Sequence, residues 1–151
     1  MNSKGMTDSQ LQDLELKMNF ILPNEIKDFL RANAGSRPFI NGKVPCFNIT
    51  HSNGRLQGEW IENVPSYEQL LIYNENKDYL NLFFTHFGLG RDYVEVEYLF
   101  PFLYLPAGSV FIATKGQHKG KIYTADNGDF GILLNAPSLS EFWNSIHIGD
   151  Y

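Results

Sequence analysis

The sequence predicts an α+β fold, a mostly antiparallel sheet with helices packed on it. Three observations carry that prediction. Residues 104–146 read as a C-terminal three-stranded meander, with strands at 109–113, 121–125 and 130–134 joined by two turns. A closing helix at 138–146 places Leu139, Phe142, Trp143 and Ile146 at i, i+3, i+4 and i+7, a stripe suited to cover one apolar sheet face. Two short apolar-striped segments near the N-terminus form a helix pair. At 151 residues the chain is the size of one domain, so residues 1–151 are expected to form a single domain.

Thr7 or Asp8 caps the first helix, in which Leu11, Leu14 and Met18 recur on one face. Pro23 stops any continuation and sits where a second helix begins. That helix carries Ile26, Phe29 and Leu30, and Gly35 follows as a left-handed C-cap. Residues 37–41 and 44–50 read as strands around an Asn41-Gly42 turn, with Pro38 and Pro45 confining them to an edge or a first position. Ser52-Asn53-Gly54 is another turn, and 57–64 reads as a further strand. Ser66 and Gln69 form a capping box before a helix carrying Tyr67, Leu70 and Leu71. A second helix is expected over about 76–87, where Leu80, Phe83, Phe84 and Phe87 make a stripe ended by Gly88. Residues 93–98 alternate, with Val94, Val96 and Tyr98 on one face and Glu95 and Glu97 on the other. The apolar run 99–105, broken by Pro101, leads into the meander. Gly116 to Gly120 makes its first turn and Asn127-Gly128 its second. Ser138 and Glu141 form a capping box on the last helix, and 147–151 is a short tail.

An apolar fraction of 43%, with 12 Phe, 8 Tyr and 2 Trp, supplies a core. No apolar run reaches the ~18 residues that span a bilayer. The N-terminus lacks an apolar signal core, and Cys46 has no cysteine to pair with, so a cytoplasmic location is expected and Cys46 reads as a small buried hydrophobe. The net charge of −5 is unevenly spread: +1 over residues 1–52, −5 over 53–100 and −1 over 101–151. An acidic field repels nucleic acid and attracts basic partners, although the same carboxylates also serve solubility.

The search for chemistry returns little. Lys115 to Lys121 has glycines and lysines but opens no helix, so it is no phosphate cradle. Asp129-Phe130-Gly131 lacks every other kinase element. Asp126 and Asp129 lack calcium-loop spacing and read as turn residues. His51, His86, His118 and His147 show no zinc spacing, no G-x-S-x-G is present, and nothing local pairs Cys46 with a base. Glu95 and Glu97, roughly 7 Å apart at strand rise, have a glycosidase-like separation but read more simply as a solvated face. Basic stripes with interleaved aromatics are missing, so no nucleic acid is expected. The expectation is a binder: no enzyme, no cofactor, no metal, no membrane.

Two regions resemble the SMI1/KNR4 family of the SUKH superfamily. Its N-terminal signature reads here as Leu22-Pro23-Asn24-Glu25-Ile26-Lys27-Asp28-Phe29-Leu30, then Asn33-Ala34-Gly35. Its C-terminal signature reads as Leu105-Pro106, Gly120-Lys121-Ile122-Tyr123, Asp126 and Ser138-Leu139-Ser140-Glu141-Phe142. Ala34 replaces the first Gly of the usual pair, and Leu139 stands where Phe is usual. The resemblance covers about half the chain and leaves 53–100 unmatched. It implies an α+β fold and no enzymatic activity. It also implies the role of many bacterial members, immunity proteins that bind and neutralise a cognate toxin, often a nuclease; fungal members act as regulatory scaffolds.

A nuclease needs a basic surface to hold phosphates, and carboxylates presented to that surface compete with nucleic acid. The candidate partner-binding residues are therefore Glu59, Glu62, Asp92, Glu95 and Glu97, with Trp60 and Tyr93 as aromatic anchors. The bland alternative makes the aromatics core and the acids solubility. A non-enzymatic scaffold or adaptor is the rival function, and a deep polar pocket of titratable groups would point instead to an enzyme.

Overall fold

The computed structural model of the chain describes residues 5–37, 43–50, 56–76, 98–106, 108–126 and 132–148. Among them the order is α1 (Asp8–Met18), α2 (Asn24–Asn33), β1 (Pro45–Thr50), β2 (Leu56–Trp60), α3 (Tyr67–Glu75), β3 (Leu99–Leu105), β4 (Gly108–Ala113), β5 (Ile122–Asp126), β6 (Ile132–Ala136), α4 (Leu139–Ser145) and β7 (His147–Ile148). The strands form two antiparallel sheets, ordered β2-β1-β7 and β3-β4-β5-β6. The fold is α+β, as the sequence predicts.

Helix α1 starts at a complete capping box. Thr7 Oγ1 accepts the Gln10 N–H at 3.2 Å, and Gln10 Oε1 accepts the Thr7 N–H at 3.0 Å. Leu11, Leu14 and Met18 are buried, and Asn19 ends the helix in the left-handed conformation that Asn tolerates (φ 60°). Pro23 is the N-cap of α2, whose Ile26 and Leu30 are buried. Gly35 is left-handed (φ 79°) but differs from the expected cap. Its N–H donates to the Val64 carbonyl at 3.0 Å, and the Val64 N–H donates to Ser36 at 2.8 Å. That turn therefore stitches α2 to the segment before α3. Gly5 crosses the end of α2 at φ 95°, where a Cβ would lie 1.9 Å from the Arg31 carbonyl oxygen, so only glycine passes.

The meander gains a fourth strand. β4, β5 and β6 are the predicted three, and β3 pairs with β4 from Leu99↔Ala113 to Leu105↔Gly108. Pro101 argues for a break in sequence, yet among the described residues β3 is the sheet's outermost strand, where a missing N–H costs no central ladder bond. A register shift between Pro101 and Leu103 absorbs the irregularity. β6 runs past the expected end at Leu134 to Ala136, and Asn135 within it donates its side-chain amide to the Asn48 carbonyl of β1 at 3.2 Å. Neighbouring strand residues face opposite ways, so Phe100 with Ile112 and Pro101 with Phe111 belong to opposite faces; all are buried.

Strand β2 stops at Trp60, short of the expected 64. The Ile61 N–H still reaches Pro45, but Glu62 and Asn63 then bond Tyr104 on β3, carrying the chain from one sheet to the other. The supposed tail contains β7, which pairs Cys46↔His147 and Pro45↔Ile148. Only half of the α4 capping box forms: Ser138 accepts the Glu141 N–H at 3.2 Å, with no reciprocal bond from the Glu141 side chain. The expected strand at 37–41, its Asn41-Gly42 turn, the 76–87 helix beyond Asn76, and the 93–98 strand before Tyr98 fall outside the described residues, apart from Arg37, which has no regular structure.

One aromatic cluster ties the layers together. Phe142 of α4 lies edge-on to Phe47 of β1 (5.3 Å) and to Phe102 of β3 (5.8 Å), so one ring bridges both sheets. Trp143 stacks on Phe29 of α2 at 5.1 Å. Tyr73 of α3 tilts against Phe111 and donates its hydroxyl to the Leu99 carbonyl at 2.9 Å. Burial pushes the Tyr73 hydroxyl up, well away from ionisation.

Candidate partner-binding surface

Of the predicted surface, Glu59, Trp60 and Glu62 lie among the described residues; Asp92, Tyr93, Glu95 and Glu97 lie outside them. Among the described residues strand β2 is an edge of its sheet. Register sets Glu59 opposite Phe47 and Trp60 opposite Cys46. The period of two therefore turns Glu59 and Trp60 to opposite faces. Phe47 points into the aromatic cluster, and Glu59 is half-buried on that side. Trp60, 37% exposed, shares the face opposite to that of Phe47 with buried Cys46 and exposed His147, in one row across three strands. The Cys46 thiol donates to the Val44 carbonyl at 3.4 Å and behaves as the expected small hydrophobe. Glu62 is half-buried where the chain leaves β2, and its N–H is fixed by Tyr104 at 2.8 Å. Burial holds the Tyr104 hydroxyl up at about 12.

The other acids of the middle third within the described residues are Glu68 and Glu75 on α3, both exposed. Helix α3 is tied to α1 through Asp13, which accepts the Tyr67 hydroxyl and lies 2.9 Å from Lys17 Nζ. The Tyr67 hydrogen bond, then Lys17, hold the Asp13 carboxyl below its usual range; the same bond to Asp13, then burial, raises the Tyr67 hydroxyl.

Clefts on the described surface include the following two. One of about 250 Å³ includes Thr7, Arg31, Ser66 and Tyr67. Its Thr7 and Ser66 hydroxyls are taken by helix caps, and Arg31 is held by Asp8 at 2.6 Å and Asp28 at 2.7 Å. The other, of about 430 Å³, lies beside α1 and is lined by Leu16, Phe20 and Ile21 together with polar Gln12 and Asn19 and charged Glu15 and Lys115. Neither sets a nucleophile beside a base. Among the described residues no group of three or more His, Cys, Asp and Glu is placed to hold a metal ion, and no helix is long and apolar enough to cross a membrane.

The sequence model of the SMI1 / KNR4 family (SUKH-1) matches residues 5–145. The chain belongs to the SMI1/KNR4 family. No protein of curated function matches it. SMI1/KNR4 domains are generally immunity or interaction domains rather than enzymes.

The SMI1/KNR4 signature residues are scaffold in this chain. The Leu22 N–H donates to the Glu15 carboxylate at 2.8 Å, and that carboxylate lies 3.4 Å from Lys27 Nζ, fixing the link that Pro23 terminates. Phe29 stacks in the aromatic cluster, Tyr123 is buried in β5, and Ser138 caps the helix that carries Phe142. Residues that mark the family hold the fold together here. Sequence reasoning missed two surface residues, Leu16 and Ile21. Their signal was present: Leu16 lies off the Leu11-Leu14-Met18 stripe, and Ile21 sits between buried Phe20 and Leu22.

Proposed function

We propose that this SMI1/KNR4 chain is a bacterial immunity protein, one domain over residues 1–151 and cytoplasmic, that neutralises a cognate nuclease toxin by binding it. The observation carrying this reading is the concentration of charge. Within a family generally associated with immunity, residues 53–100 hold −5, the whole net charge of the chain. Carboxylates there meet the basic phosphate-holding surface of the toxin, exclude nucleic acid and accelerate encounter. Glu62, Asp92, Glu95 and Glu97 supply the charge, and Trp60 and Tyr93 the aromatic anchors; Glu59 shares the face of Phe47, opposite to Trp60, and is left out of this surface. Trp60 suits that role as a partly exposed ring on an edge strand. The protein needs no cofactor for this task, since it blocks a surface and transforms nothing.

The test is growth rescue and direct binding. The protein is co-expressed with the product of a toxin gene adjacent to its own, and affinity is measured over a salt series. Rescue with salt-sensitive association supports the reading. Absence of rescue and of binding favours a scaffold or adaptor role instead.

A further inference from the structure

We propose that the cleft beside α1 is a second docking surface, which takes an acidic segment of a partner protein carrying an aliphatic or aromatic anchor. The proposal is independent of the toxin reading, whose surface has the opposite sign.

Leu16 and Ile21 are 76% and 75% exposed, and both line the same cleft of about 430 Å³. Neither serves the core. Leu16 points away from the buried stripe of α1, and Ile21 is the exposed residue of an irregular link whose neighbours Phe20 and Leu22 are buried. Paired exposed aliphatics around a cleft differ from the single ones common on any surface. The display is held in place from behind. Left-handed Asn19 turns the chain out of α1, Phe20 packs edge-on against Phe100 at 6.2 Å, and Glu15 holds the Leu22 N–H. A platform fixed before binding loses little order when a partner arrives.

Charge selects the occupant. The carboxylate in the lining, Glu15, is already engaged by Leu22 and Lys27. Across from it Lys115 reaches the cleft from the β4–β5 turn, with its ammonium 5.7 Å from the centre of the Tyr98 ring. That turn also carries Lys119 and Lys121 and no acid, a basic spot in a chain of net charge −5. A seat lined by Leu16, Phe20 and Ile21 beside the single lysine of its lining, Lys115, matches a segment that alternates apolar and acidic side chains, and it disfavours a basic one.

The probe is a short fluorescein-labelled peptide built from Glu, Leu and Phe, with a matched peptide carrying Lys for Glu, titrated by anisotropy against the full chain. The acidic peptide is expected to bind at least about tenfold more tightly than the basic one. Leu16→Ser combined with Ile21→Ser should weaken it about tenfold without lowering the unfolding temperature. Lys115→Glu, which leaves the apolar seat intact, should reverse the preference between peptides. No binding, equal binding of both peptides, or unchanged affinity in both variants overturns the proposal. So does tighter capture by phosphatidylserine vesicles than by the peptide, or a wild-type dimer that the Leu16/Ile21 variant dissociates. A fall in unfolding temperature would overturn it as well, by showing these side chains to be core.

Discussion

Glu15→Ala should destabilise the protein far more than its place on a helix surface suggests. The Glu15 carboxylate accepts the Leu22 N–H at 2.8 Å and pairs with Lys27 at 3.4 Å, and both charged side chains are about four-fifths covered. Alanine leaves the amide of a fully buried leucine without its acceptor and Lys27 without its anion. A hydrogen bond to a charged group is worth about 1.5–3 kcal/mol, and an orphaned buried donor costs about 1–3 kcal/mol. These overlap, so the expected loss is about 2–4 kcal/mol, or roughly 4–16 °C in Tm for a chain of this size. Glu15→Gln keeps an oxygen for Leu22 and loses only the ion pair, so it should cost about 1 kcal/mol. Urea and thermal unfolding of the three proteins decide the matter. An alanine variant within about 0.5 kcal/mol of wild type refutes the reasoning. Glutamine as harmful as alanine would show that charge, and not the acceptor, is what matters.

Three further outcomes follow from the same geometry. Phe142→Ala removes the ring that touches both Phe47 and Phe102 and should cost about 3–5 kcal/mol, read by denaturant unfolding. Thr124→Val should stabilise by about 1 kcal/mol, because Thr124 Oγ1 is buried in β5 with no hydrogen-bond partner among the described residues and valine has the same shape. The Asp13–Tyr67 bond makes stability pH-dependent at both ends. Asp13 is depressed, so its contribution is present above the unfolded value of about 3.9 and is lost as pH falls through the lower folded value. Tyr67 is raised, so its contribution is present below about 10 and is lost as pH rises through the folded value. Tyr67→Phe should flatten both limbs in Tm measured across pH; unchanged limbs would assign the pH dependence elsewhere.

What the sequence made legible was local. The stripes of α1, α2 and α4, the Ser66 box and the strands of the meander all rest on spacing within a few residues, and all formed. What it hid was set by distant partners. Leu99–Leu105 joins the sheet because β4 accepts an edge strand with a proline in it. His147 and Ile148 become β7 because Cys46 and Pro45 lie alongside. The chain leaves β2 at Trp60 because Tyr104 offers Asn63 a pairing that no local signal announces. For the surface, charge counting located the acidic third but not its geometry. The alternation in Leu56–Trp60 already implied opposite faces for Glu59 and Trp60, a signal that grouping residues by type overlooks.

The account stands on an acidic middle third that meets a basic partner. The most direct measurement is the association rate with the cognate toxin across a salt series, for wild type and for Glu95→Lys combined with Glu97→Lys. Wild type should associate fast and slow steeply with salt, and the variant should lose at least about tenfold in rate along with most of that salt slope. Equal rates and equal salt slopes in the two proteins would contradict it.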